Sequence, residues 1–134
     1  MGANPGPEVL QWGQTEGITV TGAVPEIRDY LRMARVSICP ISLKIGVQTK
    51  VLEAMACGTP VVTSNVSSLP EVGGQAALLV NPMDVDAISD ALGRLLQDAE
   101  LRQQLIARGF DQARQFTWEK SAAQLLDLYA IFGK

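Results

Sequence analysis

The chain has 134 residues, of which 47% are hydrophobic, 19% charged and 5% aromatic. This length supports one packed core without disulfides or a structural metal, and it excludes collagen-like, disordered and disulfide-scaffold proteins. The net charge is -3 and the basic residues are scattered, so nothing indicates a nucleic-acid or anionic-membrane partner. The absence of histidine excludes a Ser-His-Asp triad, a Cys-His pair and the common histidine metal sites within this chain.

The two cysteines and the lengths of the apolar segments indicate the cellular compartment of the protein. Cys39 and Cys57 lie among apolar residues without CxxC spacing, which favours small buried hydrophobic side chains over a metal or redox site. The sequence shows no secretory signal, and no apolar run approaches the roughly 20 residues of a membrane span. We therefore expect a cytoplasmic protein.

The first third of the chain predicts helix, strand, helix and strand. The predicted elements are a short helix over 8–14, a β-branched strand over 18–21, a helix over 26–34 that Pro25 opens, and a strand over 36–40. In the first of these helices, Val9, Leu10 and Trp12 are expected to be buried.

The middle of the chain predicts a helix over 48–57 that Gly58 ends, a strand over 61–63 and another over 76–80. From Asp84 onward the pattern is helical, with Leu92, Leu95 and neighbouring apolar residues on one stripe. A further helix is predicted over 101–115, and Thr117 is predicted to cap a last amphipathic helix.

Nearly continuous apolar strands that alternate with helices predict an α/β fold with a doubly wound, Rossmann-like parallel sheet and C-terminal helices. In such sheets the ligand crevice lies outside the carboxyl ends of the strands. The segments 22–25, 40–48 and 64–68 follow predicted strands and are expected at this edge.

The segment 45–62 is the strongest candidate for a functional site. At helical spacing, Gly46, Thr49, Lys50 and Glu53 share one face, and the amides at the helix start could bind an anion such as a diphosphate. One turn further along, the Glu53 carboxylate could accept two hydrogen bonds from ribose hydroxyls. The alternative is that Lys50 and Glu53 form only a surface ion pair and that Gly46 is only a loop glycine.

The stretch from Gly46 to Val62, GVQTKVLEAMACGTPVV, resembles the donor-site segment of group-1 nucleotide-sugar glycosyltransferases with the GT-B fold. Further segments match the order that this family shows. They are ITVTGAVP at 18–25, VSICP at 36–40, LPEV at 69–72, LLVNP at 78–82 and FTWE at 116–119.

The resemblance implies the C-terminal half of a two-domain retaining glycosyltransferase of polysaccharide biosynthesis. Residues 1–134 would form a single nucleotide-sugar (donor) binding domain that is truncated at its N-terminus. The acceptor domain would be absent from this sequence. The resemblance also allows the complete enzyme to lie peripherally on a membrane through that acceptor domain. The implied substrate is a UDP-, GDP- or ADP-linked sugar, with no metal or other cofactor. The implied contacts are Glu53 with the ribose, Gly46, Val47, Gln48, Thr49 and Lys50 with the diphosphate and sugar, and Ala23, Val24 and Pro40 with the nucleobase.

One departure from the family pattern leaves two functions open. A second glutamate usually stands eight positions before Glu53, where this chain has Ile45. The first function is a donor-binding domain that transfers a sugar to an acceptor hydroxyl, with little or no turnover as an isolated chain. The alternative is a non-catalytic, degenerate donor domain that acts as a binding or interaction module.

Two other patterns are expected to be structural. Asp84-Val85-Asp86 spells a DxD metal motif, but it stands at a helix start, where Asp84 is a good N-cap. Glu71 follows a proline and is expected to cap a turn locally.

The apolar face of the last helix, which includes Trp118, Leu125 and Tyr129, is expected to lack its partner domain and to promote self-association.

Overall fold

A computed structural model describes residues 4–42 and 48–133. Within these ranges the chain forms seven helices and three strands. In chain order they are α1 (Pro7–Trp12), α2 (Ile27–Met33), β1 (Ser37–Cys39), α3 (Thr49–Ala56), β2 (Val61–Ser64), α4 (Leu69–Gly73), β3 (Ala77–Val80), α5 (Val85–Gln97), α6 (Ala99–Ala113) and α7 (Trp118–Phe132).

The three strands form a parallel sheet in the order β1-β2-β3. In the central strand, Val61 pairs with Ser37 on one side and with Ala77 on the other. All four residues of β2 are buried, as expected for a parallel strand that is covered on both faces. The predicted α/β class and parallel sheet are confirmed.

Successive residues of β2 face two different hydrophobic cores. Val61 belongs to a core that α2, α3 and α4 cover, with Leu31 and Met55 among its buried members. Val62 belongs to a second core, which Leu95 of α5 and Leu105 of α6 fill from the opposite face. This two-sided coverage is the doubly wound arrangement that the sequence predicts.

The end of α3 is set by Gly58, as predicted. Gly58 has φ +74°, a conformation that glycine adopts without steric cost. Its N–H donates to the Met55 carbonyl at 3.0 Å, and the Thr59 N–H donates to the Ala54 carbonyl at 3.0 Å. This pair of bonds is the Schellman motif, and it turns the chain directly into β2.

The predicted caps of the C-terminal helices are also confirmed. The Asp84 carboxylate accepts a hydrogen bond from the Ala87 N–H at 2.9 Å, and the Thr117 hydroxyl accepts one from the Lys120 N–H at 3.3 Å. Asp98 caps α6 in the same way through the Leu101 N–H. Side-chain oxygens thus satisfy amides that a helix start leaves without partners.

Two predictions for the first part of the chain are wrong. Residues 18–21 form no strand, because β-branched residues need a neighbouring strand to complete their hydrogen bonds and the described sheet offers them none. Instead, Val20 lies close to Gly13, just after α1. The α1 side chains are not buried either, since Leu10 is 54% exposed and Trp12 59% exposed.

The last helix, α7, has no buried residue. Among its side chains, Trp118 is 90% exposed, Tyr129 66% and Phe132 79%. The apolar face of α7, which was expected to lack a partner domain, is therefore exposed to solvent.

Within residues 4–42 and 48–133, no helix is both long and apolar enough to cross a membrane.

Candidate functional site

A cavity of about 340 Å³ opens where β1 ends. Ile27 and Leu31 of α2 form one wall, and the chain from β1 to Ile41 forms another. Lys50 and Glu53 of α3 complete the lining. The cavity lies at the carboxyl end of a parallel strand, where ligands bind in open α/β sheets.

Two buried threonines connect the walls of this cavity to β2 and to the turn that precedes β2. The Thr63 hydroxyl of β2 donates to the Cys39 carbonyl at 3.0 Å, and the Thr59 hydroxyl donates to the Leu31 carbonyl at 2.7 Å. Both threonine side chains are buried. Because buried hydrogen bonds are costly to break, they hold the ends of β1 and α2 in place beside α3.

Lys50 and Glu53 face this cavity without forming an ion pair with each other. The ion pairs among the described residues join Arg28 to Glu26, Arg32 to Asp29 and Arg114 to Asp111, all on exposed surface. The structure therefore does not contain the surface ion pair that was the alternative interpretation of Lys50 and Glu53. An ammonium and a carboxylate remain available to a ligand.

The other side of α3 is only partly as predicted. Helical spacing predicts Val51, Leu52, Met55 and Ala56 as the buried side of this helix. Val51 and Met55 are buried and Leu52 is partly buried, but Ala56 is exposed and Ala54 is buried instead. The predicted polar face is also divided. Thr49 lines a different cavity from the one that Lys50 and Glu53 line.

The remaining predicted contacts are distributed as follows. Pro40 lines the cavity together with Lys50 and Glu53. Ala23 and Val24 precede α2 and are not among the lining residues. Gln48 is the N-cap residue of α3. Gly46 and Val47, like Ile45, lie outside the described residues.

A second cavity, of about 330 Å³, lies between α3, α4 and the start of α7. Thr49 and Leu52 line it from α3, Glu71 from α4 and Trp118 from α7. Glu71 was expected to cap a turn, but α4 has Ser68 as its N-cap residue and no side-chain cap hydrogen bond. Sequence reasoning did not find this cavity, because its walls come from three segments that are distant along the chain.

Leu31 belongs to the first core, and Ile27 and Cys39 pack against it, but all three residues also line the first cavity. Helical spacing identifies which side chains share a face of α2, but it does not show that part of this face also borders a cavity.

The Cys39 thiol is half-buried, and this burial raises its pKa, although the charge of Lys50 acts in the opposite direction.

This pKa predicts slow alkylation of Cys39. Because the thiolate is the reactive form, a raised pKa leaves less of it at neutral pH. In a Cys57→Ser background, we expect the pH midpoint of iodoacetamide labelling to lie higher in the folded chain than in the urea-unfolded chain. Lys50→Gln should raise the midpoint further, since it removes the opposing charge. Identical midpoints in the folded and unfolded chains would contradict this.

Within the described ranges, no group of three or more Cys, Asp or Glu side chains is arranged to hold a metal ion. The groups that could hold an anionic ligand are Lys50 and the start of α3, where helix amides and dipole favour negative charge.

Comparison with known proteins identifies similar sequences. A family model described as glycosyl transferases group 1 matches residues 1–98. The chain is 44% identical over 126 residues to the O-antigen chain mannosyltransferase B of Escherichia coli, covering 92% of this chain and 33% of that protein. It is 40% identical over 108 residues to the MMP alpha-(1->4)-mannosyltransferase of Mycolicibacterium hassiacum, covering 78% of this chain and 26% of that protein.

A solved structure is also similar. The sucrose-phosphate synthase of Thermosynechococcus elongatus, which has the GT-B fold, matches with a TM-score of 0.66 and 33% identity. The match covers 77% of this chain and 26% of that one. The chain thus spans about a quarter to a third of the length of these relatives.

Proposed function

Since the chain belongs to the group 1 glycosyltransferases, we propose that it is the donor-binding domain of an enzyme that moves a sugar from a nucleotide-sugar to an acceptor hydroxyl. The proposal assigns acceptor binding to sequence outside these 134 residues. The lengths of the relatives support this division, because the chain spans 33% of the E. coli mannosyltransferase.

The observation that carries the proposal is the pair of Lys50 and Glu53 side chains, which line one cavity without pairing with each other. A carboxylate that accepts two hydrogen bonds suits the two hydroxyls of a ribose. An ammonium beside a helix start suits a diphosphate and stabilises the charge that develops on it as the sugar departs. The apolar residues of α2 and the Pro40 region provide a surface for the nucleobase.

Two relatives are named as mannosyltransferases, while others, including one from a Nocardioides species, are named D-inositol 3-phosphate glycosyltransferase. Mannose is therefore the first donor sugar to test. We expect little or no turnover by the isolated chain, because transfer requires both substrates to be positioned together.

Calorimetric titration with UDP, GDP and ADP tests the proposal. We expect one of these nucleotides to bind saturably and the sugar-linked form of the same nucleotide to bind at the same site. Binding of none of the three would overturn the proposed donor site in this chain.

The alternative is a degenerate donor domain that serves as a non-catalytic binding module. Ile45, which stands where the family usually has a glutamate, favours it. An assay of nucleoside diphosphate release separates the two functions. The protein is extended by its acceptor domain and supplied with the nucleotide-sugar, and only an enzyme then releases the free nucleoside diphosphate.

We also propose that the isolated chain self-associates through α7. Leu126 is 68% exposed, Ile131 67% and Phe132 79%, and an exposed apolar face of this kind promotes association. Sedimentation velocity should show a concentration-dependent dimer or larger species. Leu126→Glu should shift the equilibrium toward monomer. Met33→Glu is the control and should not shift it, because Met33 is an apolar residue that is 85% exposed but lies on α2. A monomer at every concentration would contradict this prediction.

A further inference from the structure

The chain makes a tight turn directly after β1. Cys39 is the last residue of β1 that pairs with β2, and its carbonyl accepts a hydrogen bond from the Ile41 N–H at 3.0 Å. A bond between residues two apart closes a γ-turn, and Pro40 stands at its centre. We call residues 39–41 the Pro40 turn. All three residues line the first cavity, together with Lys50 and Glu53.

A side chain of the neighbouring strand holds the Pro40 turn from inside the protein. The Thr63 hydroxyl of β2 donates to the Cys39 carbonyl at 3.0 Å, and Thr63 is 0% exposed. This bond adds a side-chain contact to the backbone pairing of the two strands. Because Thr63 is shut off from solvent, water does not readily replace the bond when the hydroxyl is removed.

The direction of the Cys39 carbonyl determines how the proline ring is oriented. A peptide unit is planar, so this direction sets the plane that contains the nitrogen and the α-carbon of Pro40. The ring itself holds the φ of proline at about −65°. Thr63 is not among the described lining residues of the cavity, yet through the carbonyl it controls the orientation of a ring that is.

The other buried threonine acts on a wall that needs less support. The Thr59 hydroxyl donates to the Leu31 carbonyl at 2.7 Å. Leu31 lies in α2, where the backbone hydrogen bonds of the helix already fix its conformation. The Pro40 turn has no such series of bonds, because proline has no N–H to donate. The Thr63 hydroxyl therefore has the larger influence on the shape of the cavity.

The two branches of the Thr63 side chain face different parts of the protein. The hydroxyl reaches β1, whereas the methyl carbon lies 3.6 Å from the place that a β-carbon on Gly73 of α4 would occupy. The methyl group thus belongs to the packing of the core, and the hydroxyl belongs to the Pro40 turn. Substitutions that remove one branch and keep the other separate these two roles.

We propose that Thr63 is a positioning residue of the donor site, whose hydroxyl holds the Pro40 turn in the orientation that packs against the nucleobase. This role rests on the proposed function, which assigns the nucleobase to α2 and the Pro40 region. It differs from the roles of Lys50 and Glu53, because Thr63 acts through the Cys39 carbonyl and touches no ligand.

Calorimetry with the best-binding of UDP, GDP and ADP compares two substitutions of Thr63. Thr63→Val keeps the methyl group and removes the hydroxyl, and it should weaken binding about three- to tenfold, the usual contribution of one hydrogen bond. Thr63→Ser keeps the hydroxyl, and it should bind nearly as well as the wild type although the missing methyl group lowers its stability. Equal affinities, or weaker binding by Thr63→Ser than by Thr63→Val, would overturn the proposal.

If circular dichroism shows that Thr63→Val does not fold, Thr63→Cys takes its place, since a thiol is only a weak donor. Ser64→Ala is the matched control. Ser64 is the next residue of β2 and faces the other side of the sheet, and its buried hydroxyl has no hydrogen-bond partner among the residues that the structure describes. Its removal should leave nucleotide affinity unchanged. A loss as large as that of Thr63→Val would overturn the proposal.

Inorganic pyrophosphate distinguishes the nucleobase contact from the diphosphate contact. It carries the charge of a diphosphate and no base, so it should compete with the nucleotide at Lys50. Its inhibition constant should be the same in the wild type and in Thr63→Val. A loss equal to the loss for the nucleotide would show that the whole cavity is altered, and it would overturn the positioning role.

Hydrogen exchange of the Ile41 amide tests the role without any nucleotide. The exchange should be about three- to tenfold faster in Thr63→Val than in the wild type, and unchanged in Ser64→Ala. An unchanged rate in Thr63→Val would overturn the hold on the turn. If the wild type binds nucleotide and Thr63→Val binds it equally well, the donor site stands and the role of Thr63 fails. If the wild type binds none of the three nucleotides, the proposed function fails, and with it the role of Thr63 in donor binding.

Discussion

Replacement of Glu53 by alanine is expected to weaken nucleotide binding roughly ten- to a hundredfold. The Glu53 side chain is exposed in the cavity at the end of β1, and it forms no ion pair among the described residues. Its loss therefore removes ligand contacts without breaking a contact of the fold. A hydrogen bond to a charged group contributes about 1.5 to 3 kcal/mol, which corresponds to that range of affinity.

Calorimetry with the best-binding nucleotide measures this loss, and the 2′-deoxy form of the nucleotide identifies its cause. If Glu53 accepts a hydrogen bond from the 2′-hydroxyl, the wild-type chain discriminates between the two forms and Glu53→Ala does not. Asp90→Ala is the control, since Asp90 is an exposed carboxylate of α5 outside both cavities. Unchanged affinity in Glu53→Ala would remove the ribose contact and favour the non-catalytic alternative.

Replacement of Leu95 by alanine is expected to lower the free energy of unfolding by about 3 kcal/mol, within a usual range of roughly 2 to 5. Leu95 of α5 is 0% exposed and packs with Val62 and Leu105 in the core on one face of the sheet. Alanine at this position leaves a cavity that the helices can close only in part.

Urea unfolding followed by far-UV circular dichroism measures this change. Leu128→Ala on α7 is the control, because Leu128 is 51% exposed and its truncation should change stability by less than about 0.5 kcal/mol. Nucleotide affinity should be preserved in Leu95→Ala, since Leu95 lies on the face of the sheet opposite α3. Equal stability losses in the two variants would contradict this assignment of the core.

The sequence alone determined the features that depend on neighbouring residues. Gly58 ends α3 because only glycine adopts its φ of +74° at little cost, and Asp84 and Thr117 begin helices because their oxygens reach amides three residues ahead. The parallel sheet was predictable because both faces of β2 are covered, which requires apolar residues along the whole strand.

Only the tertiary structure decided the features that depend on distant segments. Residues 18–21 have the β-branched composition of a strand, yet a strand also requires a neighbour that accepts its hydrogen bonds. The helical period places Thr49, Lys50 and Glu53 on one face, but the packing of α2 on one side and of α4 and α7 on the other divides that face between two cavities. The Trp118 cavity exists because three segments far apart in the chain meet, and no local pattern records such a meeting.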